Sequence, residues 1–171
     1  YGRSRVMRFT PYAFRVLAGW AFTPRCYLEA ALLADARIPA AEDLFYQPLY
    51  NNRTIDDPVP ERTSAAELGW RLTGPVLDLQ VTAFAVLTLD GTETRRYYDD
   101  MASVYCDMAV TGIGRLSCGV EAAADIRLSY RWRLSLAASA GRYKYARDPV
   151  VTVISDMDNS AVDMRAVSRM G

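Results

Sequence analysis

The stretch that decides the fold is LDLQVTAFAVLTL, residues 77–89, in which every odd position carries an apolar side chain. Most of the even positions are polar, and such alternation with a period of two predicts a β-strand with two different faces. The same alternation recurs in residues 12–22, 66–72, 120–128 and 132–140. Residues 28–37 also match a helix at Ala30-Ala31-Leu32-Leu33-Ala34, but Glu29 and Asp35 share one parity, which favours a strand.

The connections between these strands alternate between short and long. Short turns are predicted at Thr23-Pro24-Arg25, Thr73-Gly74-Pro75 and Ser129-Tyr130-Arg131. Long loops are predicted at residues 38–63, at 90–104 and from 146 onward. Strands of about ten residues with short turns at one end and long loops at the other are typical of outer-membrane barrels. The predicted fold is therefore all-β, a segment of an antiparallel up-and-down transmembrane β-barrel.

The turns delimit about seven strands, and the chain as a whole is interpreted as one partial barrel domain, residues 1–171. Residues 104–128 are either two strands or one long strand with an irregularity at Gly112 or Gly114, since no turn separates them cleanly. The expected strands lie near residues 9–22, 26–37, 64–73, 76–90, 104–116, 117–128 and 132–145.

Aromatic residues cluster at the predicted short turns. Around these turns lie Trp20, Phe22, Tyr27, Trp70, Tyr130 and Trp132. Large amphipathic rings at one end of the strands would form a girdle at a membrane surface. A second girdle is expected near Tyr12, Tyr143 and Tyr145. The alternative is that these rings form the core of a soluble sandwich, but their recurrence at all three turns favours the girdle.

Charged residues within the strands define the expected inner face. An arginine on the lipid side near mid-bilayer costs about 2–4 kcal/mol, so arginines within strands must face inward or lie near an interface. This applies to Arg15, Arg71, Arg127 and Arg133. A soluble barrel or sandwich has the same alternation with its apolar face inside. By parity, the residues that could line the lumen and pair with a plug are Arg37, Glu67, Arg71, Glu121 and Arg127. Ion pairing among these residues along the wall explains their positions equally well.

Composition argues against several classes of function. Twenty basic residues balance twenty acidic ones, whereas nucleic-acid binding requires an excess of positive charge. The chain has no His, the commonest general base and metal ligand, and its three Cys show no CxxC spacing. The stretch Asp156-Met157-Asp158-Asn159 lacks the turn Gly and closing Glu of a calcium loop. We therefore predict no enzymatic activity, no catalytic residue, no metal site, no cofactor and no nucleic-acid partner.

Three segments resemble the C-terminal barrel of TonB-dependent outer-membrane receptors. Ala36-Arg37-Ile38-Pro39 followed by Glu42-Asp43-Leu44-Phe45-Tyr46 resembles the stretch that opens an extracellular loop in that family. Pro60-Glu61-Arg62-Thr63-Ser64 with Glu67-Leu68-Gly69 is similar to the segment that re-enters the barrel. Thr111-Gly112-Ile113-Gly114-Arg115 leading to Gly119-Val120-Glu121 is similar to a later strand. Ala66 replaces the usual aromatic residue of the second motif, and the Lys of the third motif is missing.

The resemblance implies that the chain forms roughly seven of about 22 strands of a plugged transporter in the bacterial outer membrane. Such a receptor imports a scarce nutrient, for example a metal chelate, cobalamin or a glycan. Its expected partners are outer-membrane lipid, a plug domain, the remaining barrel strands, and the energy-transducing periplasmic protein that acts through the plug. A passive porin or adhesin segment and a soluble β-sandwich or lipocalin-like binding protein remain as alternatives. The candidate ligand-binding residues, all in predicted loops, are Arg37, Tyr46, Tyr50, Asn51, Asn52, Arg96, Tyr97, Tyr98, Asp99 and Asp100.

Overall fold

The structure is a computed structural model that describes residues 7–47, 49, 51–100 and 103–157. A seven-stranded sheet and a separate two-stranded hairpin make up its β-structure. The strands are β1 (Tyr12–Thr23), β2 (Cys26–Arg37), β3 (Phe45–Gln47), β4 (Asn51–Thr54), β5 (Glu61–Thr73), β6 (Leu77–Asp99), β7 (Val104–Arg127), β8 (Arg133–Arg147) and β9 (Val150–Ser155). A short 3₁₀ helix, Ala41–Leu44, precedes β3.

The sheet is an antiparallel meander in the order β1-β2-β5-β6-β7-β8, with β9 also paired to β7. β8 pairs with the C-terminal part of β7 and β9 with its N-terminal part, so the two follow one another along β7. Between them lie Asp148 and Pro149, and proline has no N–H to donate to a ladder. Within the described residues the sheet is open. The predicted all-β class and antiparallel up-and-down order are confirmed, and the open seven-stranded sheet is consistent with a segment of a barrel.

All three predicted short turns are present. In the first, the Cys26 backbone N–H donates to the Thr23 hydroxyl over 3.0 Å. In the second, the Gly74 N–H donates to Asp78 Oδ1 over 3.2 Å. In the third, the Leu128 N–H donates to the Trp132 carbonyl over 3.0 Å. The turns therefore lie at one end of the sheet, as the sequence predicts.

The opposite end differs from the expected long loops. β6 continues to Asp99, and residues 104–127 form a single strand, β7. The pairing of β6 with β7 shifts between Thr88 and Gly91 and shifts back between Gly91 and Glu93. Asp90 at φ 61° and Gly112 at φ 71° lie at these two bulges. The two shifts compensate one another, so the hairpin continues although the alternation in the sequence is interrupted there.

These bulges divide the sheet into two parts. We call β1, β2, β5, β8 and residues 77–88 and 115–127 the lower sheet. The upper extension consists of residues 91–99, residues 104–113 and β9. In the lower sheet every residue of β1 and β8 is exposed. In the upper extension, β3 and the residue after β4 pack onto the sheet in a buried cluster of Tyr46, Ile55, Ala109 and Ile154. In the described part of the chain, no helix is long and apolar enough to cross a membrane.

Candidate functional site

The strand register gives the lower sheet an apolar face. Residues paired directly across antiparallel strands project to the same side. One such row joins Trp20, Leu28, Trp70, Val81, Ala122 and Ala138. The rows two positions above and below it continue with Ala, Val, Leu, Ile, Phe and Cys. We call the side that these rows share the apolar face.

The other side of the lower sheet is the polar face. A row joins Glu29, Gly69, Thr82, Glu121 and Ser139. The register also places on this face all the residues expected to line a lumen, which are Arg37, Glu67, Arg71, Glu121 and Arg127. Arg127 donates to Asp78 Oδ2 over 2.7 Å, and Arg71 donates to Gln80 Oε1 over 3.2 Å. Charged and polar side chains of the polar face therefore partly pair with one another.

The apolar face has no covering layer in the described part of the chain. Trp20 and Leu136 keep 66% and 53% of their surface, and Leu32 and Leu68 keep 55% and 52%. A soluble monomer rarely exposes a contiguous apolar patch of more than a few hundred Å². Exposed apolar faces of this kind are typical of surfaces that contact a membrane or another protein segment.

The aromatic residues are distributed differently from the prediction. Trp20 and Trp70 lie on the apolar face near the short turns, and the rings of Trp20 and Phe22 are 5.6 Å apart. Tyr27, however, lies on the polar face, where its hydroxyl fills the space beside Gly19. Tyr143 and Tyr145 pair with Ser117 and Arg115 and also lie on the polar face. The expectation of a second lipid-facing girdle at these two residues is therefore wrong.

Two cations on the apolar face were missed by the sequence reasoning. Arg142 pairs with Cys118 and Lys144 pairs with Leu116. The other side chains of these two rows are apolar except for Ser64 of β5. The alternation of β8 is regular only as far as Ala140, so sequence alone does not assign the following residues to a face. The positive side chains lie at the end of the face away from the short turns.

The upper extension contains a cluster of charged and aromatic side chains. Arg96 Nε lies 3.7 Å from Asp107 Oδ1, and Arg96 also donates to Asp156 Oδ2. The Arg96 guanidinium lies 4.8 Å from the centre of the Tyr105 ring, a cation–π distance. The rings of Tyr98 and Tyr105 meet edge to face with centroids 5.0 Å apart. Asp107 is completely buried, so this cluster joins β6, β7 and the end of β9 in a fixed arrangement.

Candidate residues of the predicted loops are placed mainly on strands. Arg96, Tyr97, Tyr98 and Asp99 belong to β6, because the hairpin continues past the bulges, and Asp100 is exposed in the turn that follows. Arg96 and Tyr98 share one face, whereas Tyr97 pairs with Cys106 on the other. Burial is the main cause that raises the pKa of both the Tyr97 hydroxyl and the Cys106 thiol. The structure therefore brings Arg96 and Tyr98 together on one face and separates Tyr97 from them.

The remaining candidates lie apart from Arg96. Tyr46 is 3% exposed and belongs to the core of the hairpin. Burial raises its pKa, with a further contribution from Asp56, while a hydrogen bond with Thr152 and the Arg53 charge act in the opposite direction. Arg37 is exposed at the end of β2 and lines a cavity of about 240 Å³ together with Asp43, Glu61, Asp90 and Thr92. Tyr50 and the side chains of Asn51 and Asn52 lie outside the described residues.

Sequence reasoning also missed residues that complete the Arg96 cluster. Tyr105, Asp107 and Asp156 come from β7 and from the turn after β9. A signal was present in the near-mirror patterns Arg96-Tyr97-Tyr98 and Tyr105-Cys106-Asp107, which a tight hairpin would bring face to face. The regular alternation ends near residue 90, so the sequence predicts a loop at residues 90–104 and does not predict this pairing.

A second charged group lies at the bulges. Asp90 is 8% exposed and accepts a hydrogen bond of 2.9 Å from Arg62 Nε and one of 3.2 Å from Arg147 Nη1.

Within the described residues, no three His, Cys, Asp or Glu side chains are grouped so that they could hold a metal ion. Comparison with protein-family models, with curated proteins and with solved structures finds no match for this chain. A functional proposal therefore rests on the two faces of the sheet and on the upper extension.

Proposed function

We propose that this chain forms part of the wall of a TonB-dependent outer-membrane receptor, which imports a scarce external nutrient. The observation that carries the proposal is the uncovered apolar face, opposite a face that carries most of the charges of the lower sheet and all of its acidic residues in the paired rows. A single-layer sheet with this division matches a barrel wall, which has lipid on one side and a polar lumen on the other. The resemblance of the three sequence motifs to TonB-dependent receptors is the reason for proposing this family.

The dimensions of the lower sheet support the same proposal. A strand rises about 3.3 Å per residue and tilts by about 40° in a membrane barrel, so ten residues cross about 25 Å. Twelve residues form β1 and another twelve form β2, and Trp20 and Trp70 each lie three residues from a short turn. The tryptophans would therefore lie near one membrane surface, and the bulges at Asp90 and Gly112 near the other.

The open edges of the sheet have a direct consequence in this proposal. β1 and β8 each have an unpaired side in the described structure. Backbone groups at such an edge have no water partner in lipid, and leaving them unsatisfied costs several kcal/mol each. The remaining strands of the barrel would pair with these edges, and the plug domain would meet the polar face.

The upper extension would stand outside the membrane and contribute to ligand capture. Tyr98 is 48% exposed and Tyr105 is 52% exposed, and Arg96 holds Tyr105 from the adjacent strand. Exposed tyrosines beside a fixed arginine offer stacking surfaces and hydrogen bonds to a small organic ligand or a glycan. In this proposal the binding residues are Arg96, Tyr98 and Tyr105, with Arg37 and Asp100 at the periphery.

Depth-dependent quenching of tryptophan fluorescence tests the proposal. The chain has three tryptophans, Trp20, Trp70 and Trp132. The test is made in the complete barrel, because this segment alone would leave backbone groups unsatisfied in lipid. Variants that keep one of these tryptophans, with every other tryptophan of the barrel changed to Phe, report on one site each. After reconstitution in vesicles, we expect lipids brominated close to the glycerol backbone to quench each tryptophan more than lipids brominated at the chain ends. Equal quenching by both lipids, or none, would argue against a girdle.

The same preparation separates the alternatives. A protein that stays folded and monomeric in water without detergent would overturn the barrel and leave the soluble sandwich or lipocalin-like protein. A porin or adhesin would pass the quenching test, so we add import of a candidate ligand into cells with and without the energy-transducing partner. Uptake that does not depend on that partner would favour a passive barrel.

A further inference from the structure

Tyr143 and Tyr145 are exposed aromatic residues on the polar face, where contact with lipid does not account for them. They keep 79% and 74% of their surface and lie two residues apart on β8, so both project to the same side of the sheet. Tyr143 pairs with Ser117 of β7, and Tyr145 pairs with Arg115. Large apolar surfaces that stay exposed within a polar lining are typical of ligand-binding grooves.

A third ring extends this surface along the polar face. Phe84 of β6 lies in the row that continues through Gly119 and Gly141. A Cβ on Gly119 would lie 2.9 Å from Phe84 Cζ. A Cβ on Gly141 would lie 3.9 Å from Tyr143 Cε2, so both rings lie beside backbone that carries no side chain. Successive rows are about 7 Å apart along a strand, and Phe84, Tyr143 and Tyr145 occupy three successive rows, which we call the stacking track.

The upper part of the stacking track borders a cavity of about 440 Å³. On the polar face, the two tyrosines line this cavity together with Val86, Thr88, Arg115 and Ser117. The Arg115 guanidinium forms an ion pair with the Glu93 carboxylate, and both side chains stay about half exposed. Glu93 also accepts a longer hydrogen bond of 3.5 Å from Arg95, which lies outside this lining. The charge of Arg115 is thus balanced by its partner, while further guanidinium N–H donors and carboxylate lone pairs stay available to a ligand.

The stacking track rises towards the end of the polar face that lies away from the short turns. Tyr143 and Tyr145 follow Trp132 by eleven and thirteen residues. At about 2.5 Å of height per tilted residue, they lie about 28–33 Å above the short turns. The apolar band of a membrane barrel is about 25 Å tall, so in the proposed barrel these rings lie at the outer mouth of the lumen. A ligand that enters from outside would meet them before it reached the deeper part of the polar face.

We propose that the stacking track and the Arg115–Glu93 pair bind a neutral oligosaccharide. This inference rests on the proposed function, because it places the polar face in the lumen of an import barrel and selects one class of ligand for that barrel. A pyranose ring presents C–H groups on one face, and these pack against the negative face of an aromatic ring. Its hydroxyl groups both donate and accept hydrogen bonds, so a guanidinium and a carboxylate at one site can bind neighbouring hydroxyls.

The balanced charge of the site argues against a charged ligand. An anionic metal chelate would require an excess of cations beside the rings, whereas the guanidinium that lines this cavity is already paired with Glu93. An uncharged saccharide requires no such excess, and a chain of sugar units can contact several rings that lie about 7 Å apart. The stacking track therefore fits an extended neutral ligand better than a compact charged one.

Titration of paired variants with oligosaccharides tests the inference. The complete barrel is purified in a detergent without a sugar headgroup, because such a headgroup would compete, and binding is measured by calorimetry. The probes are neutral hexasaccharides of glucose, mannose, xylose and galactose, with a galacturonate hexamer and ferric citrate as charged comparisons. The test variant is Tyr143→Ala/Tyr145→Ala. The control variant is Tyr12→Ala/Tyr130→Ala, which removes two exposed tyrosines that lie outside the stacking track.

We expect at least one neutral hexasaccharide to bind, and the test variant to bind it about 30-fold more weakly, because it loses two ring contacts. Tyr143→Phe/Tyr145→Phe keeps both rings and should bind within about three-fold of the unchanged protein. The control variant should bind as the unchanged protein does. Binding of no neutral hexasaccharide, tighter binding of a charged probe, or an equal loss in the test and control variants overturns the inference.

The proposed function is tested separately in the same barrel. Insertion into vesicles is measured by tryptophan quenching, and import is measured in cells with and without the energy-transducing partner. Saccharide binding by a barrel whose uptake does not depend on that partner supports the stacking track and overturns the receptor. Partner-dependent import of another ligand, without saccharide binding, overturns only the stacking track as a sugar site.

Discussion

Two adjacent alanines on β7 allow a stringent test of the two faces. Ala122 lies on the apolar face between Val81 and Ala138, whereas Ala123 lies on the polar face between Gln80 and Ala137. Ala122 is five residues from the end of β7 at Arg127, which places it about 13 Å above the turn, near the middle of the apolar band. We expect Ala122→Arg to reduce the free energy of unfolding in lipid by about 2–4 kcal/mol. Ala123→Arg should change it by less than about 0.5 kcal/mol, because its side chain would enter the aqueous lumen of the proposed barrel.

Depth distinguishes lipid from a protein core. Ser64 lies on the apolar face nine residues from Thr73, about 23 Å above the turn, and is exposed. Ser64→Arg is therefore expected to cost only about 0–1 kcal/mol in a bilayer, since the penalty falls towards the interface. The assay is reversible unfolding of the complete barrel by guanidinium chloride in vesicles, followed by tryptophan fluorescence. Equal losses for Ser64→Arg and Ala122→Arg would refute the lipid assignment, and equal losses for Ala122→Arg and Ala123→Arg would refute the assignment of faces.

Two further predictions concern the bulges and the hairpin. Gly112→Ala should destabilise the protein by about 1–2 kcal/mol in denaturant unfolding, because φ is 71° and no atom lies within 4 Å of the added Cβ. Gly112→Asn should lose less stability, since Asn tolerates a positive φ. An equal loss of stability in the two variants would mean that the backbone conformation is not the cause. Burial raises the pKa of Tyr46, so its hydroxyl in the folded hairpin keeps its proton at pH values where the unfolded chain ionises. The free energy of unfolding should therefore fall as the pH rises above about 10, the ordinary pKa of tyrosine. Hydrogen exchange of the β3 amides should report this loss of stability. Tyr46→Phe should abolish the part of the pH dependence that comes from ionisation of Tyr46.

The hairpin of β5 and β6 shows how far local pattern extends. Residues 64–73 and 76–90 were expected as strands, and the structure has Glu61–Thr73 and Leu77–Asp99. The start of β6 follows from alternation and from the turn at Gly74, both of which are local properties of the chain. Its continuation to Asp99 depends on pairing with β7 beyond two bulges, and it has no local signal of comparable strength. Arg96 therefore lies at the end of the sheet opposite the short turns, as expected, but it belongs to a strand and not to a loop.

The charged groups show a different limit. Arg62, Asp90 and Arg147 lie on three strands and are separated by 28 and 57 residues in the chain. Their contact requires both the order of the strands and the shift of register between Gly114 and Arg115. A shift of one residue transfers a side chain to the other face, so parity counted from Trp132 places Arg147 on the wrong side. The contact of Arg62 and Arg147 with Asp90 therefore depends on the strand register and does not follow from parity along the sequence.

The sequence by itself determined the all-β class, the three short turns and the division of the lower strands into two chemically different faces. These features follow from the steric period of a strand and from the backbone preferences of Pro, Gly and Ser, which act within a few residues. Only the tertiary structure decided that β8 and β9 share β7, that compensating bulges at Asp90 and Gly112 extend the central hairpin, and that Arg142 and Lys144 lie on the apolar face. Each of these depends on which residue faces which across strands distant in sequence, and that choice depends on long-range hydrogen bonding and packing.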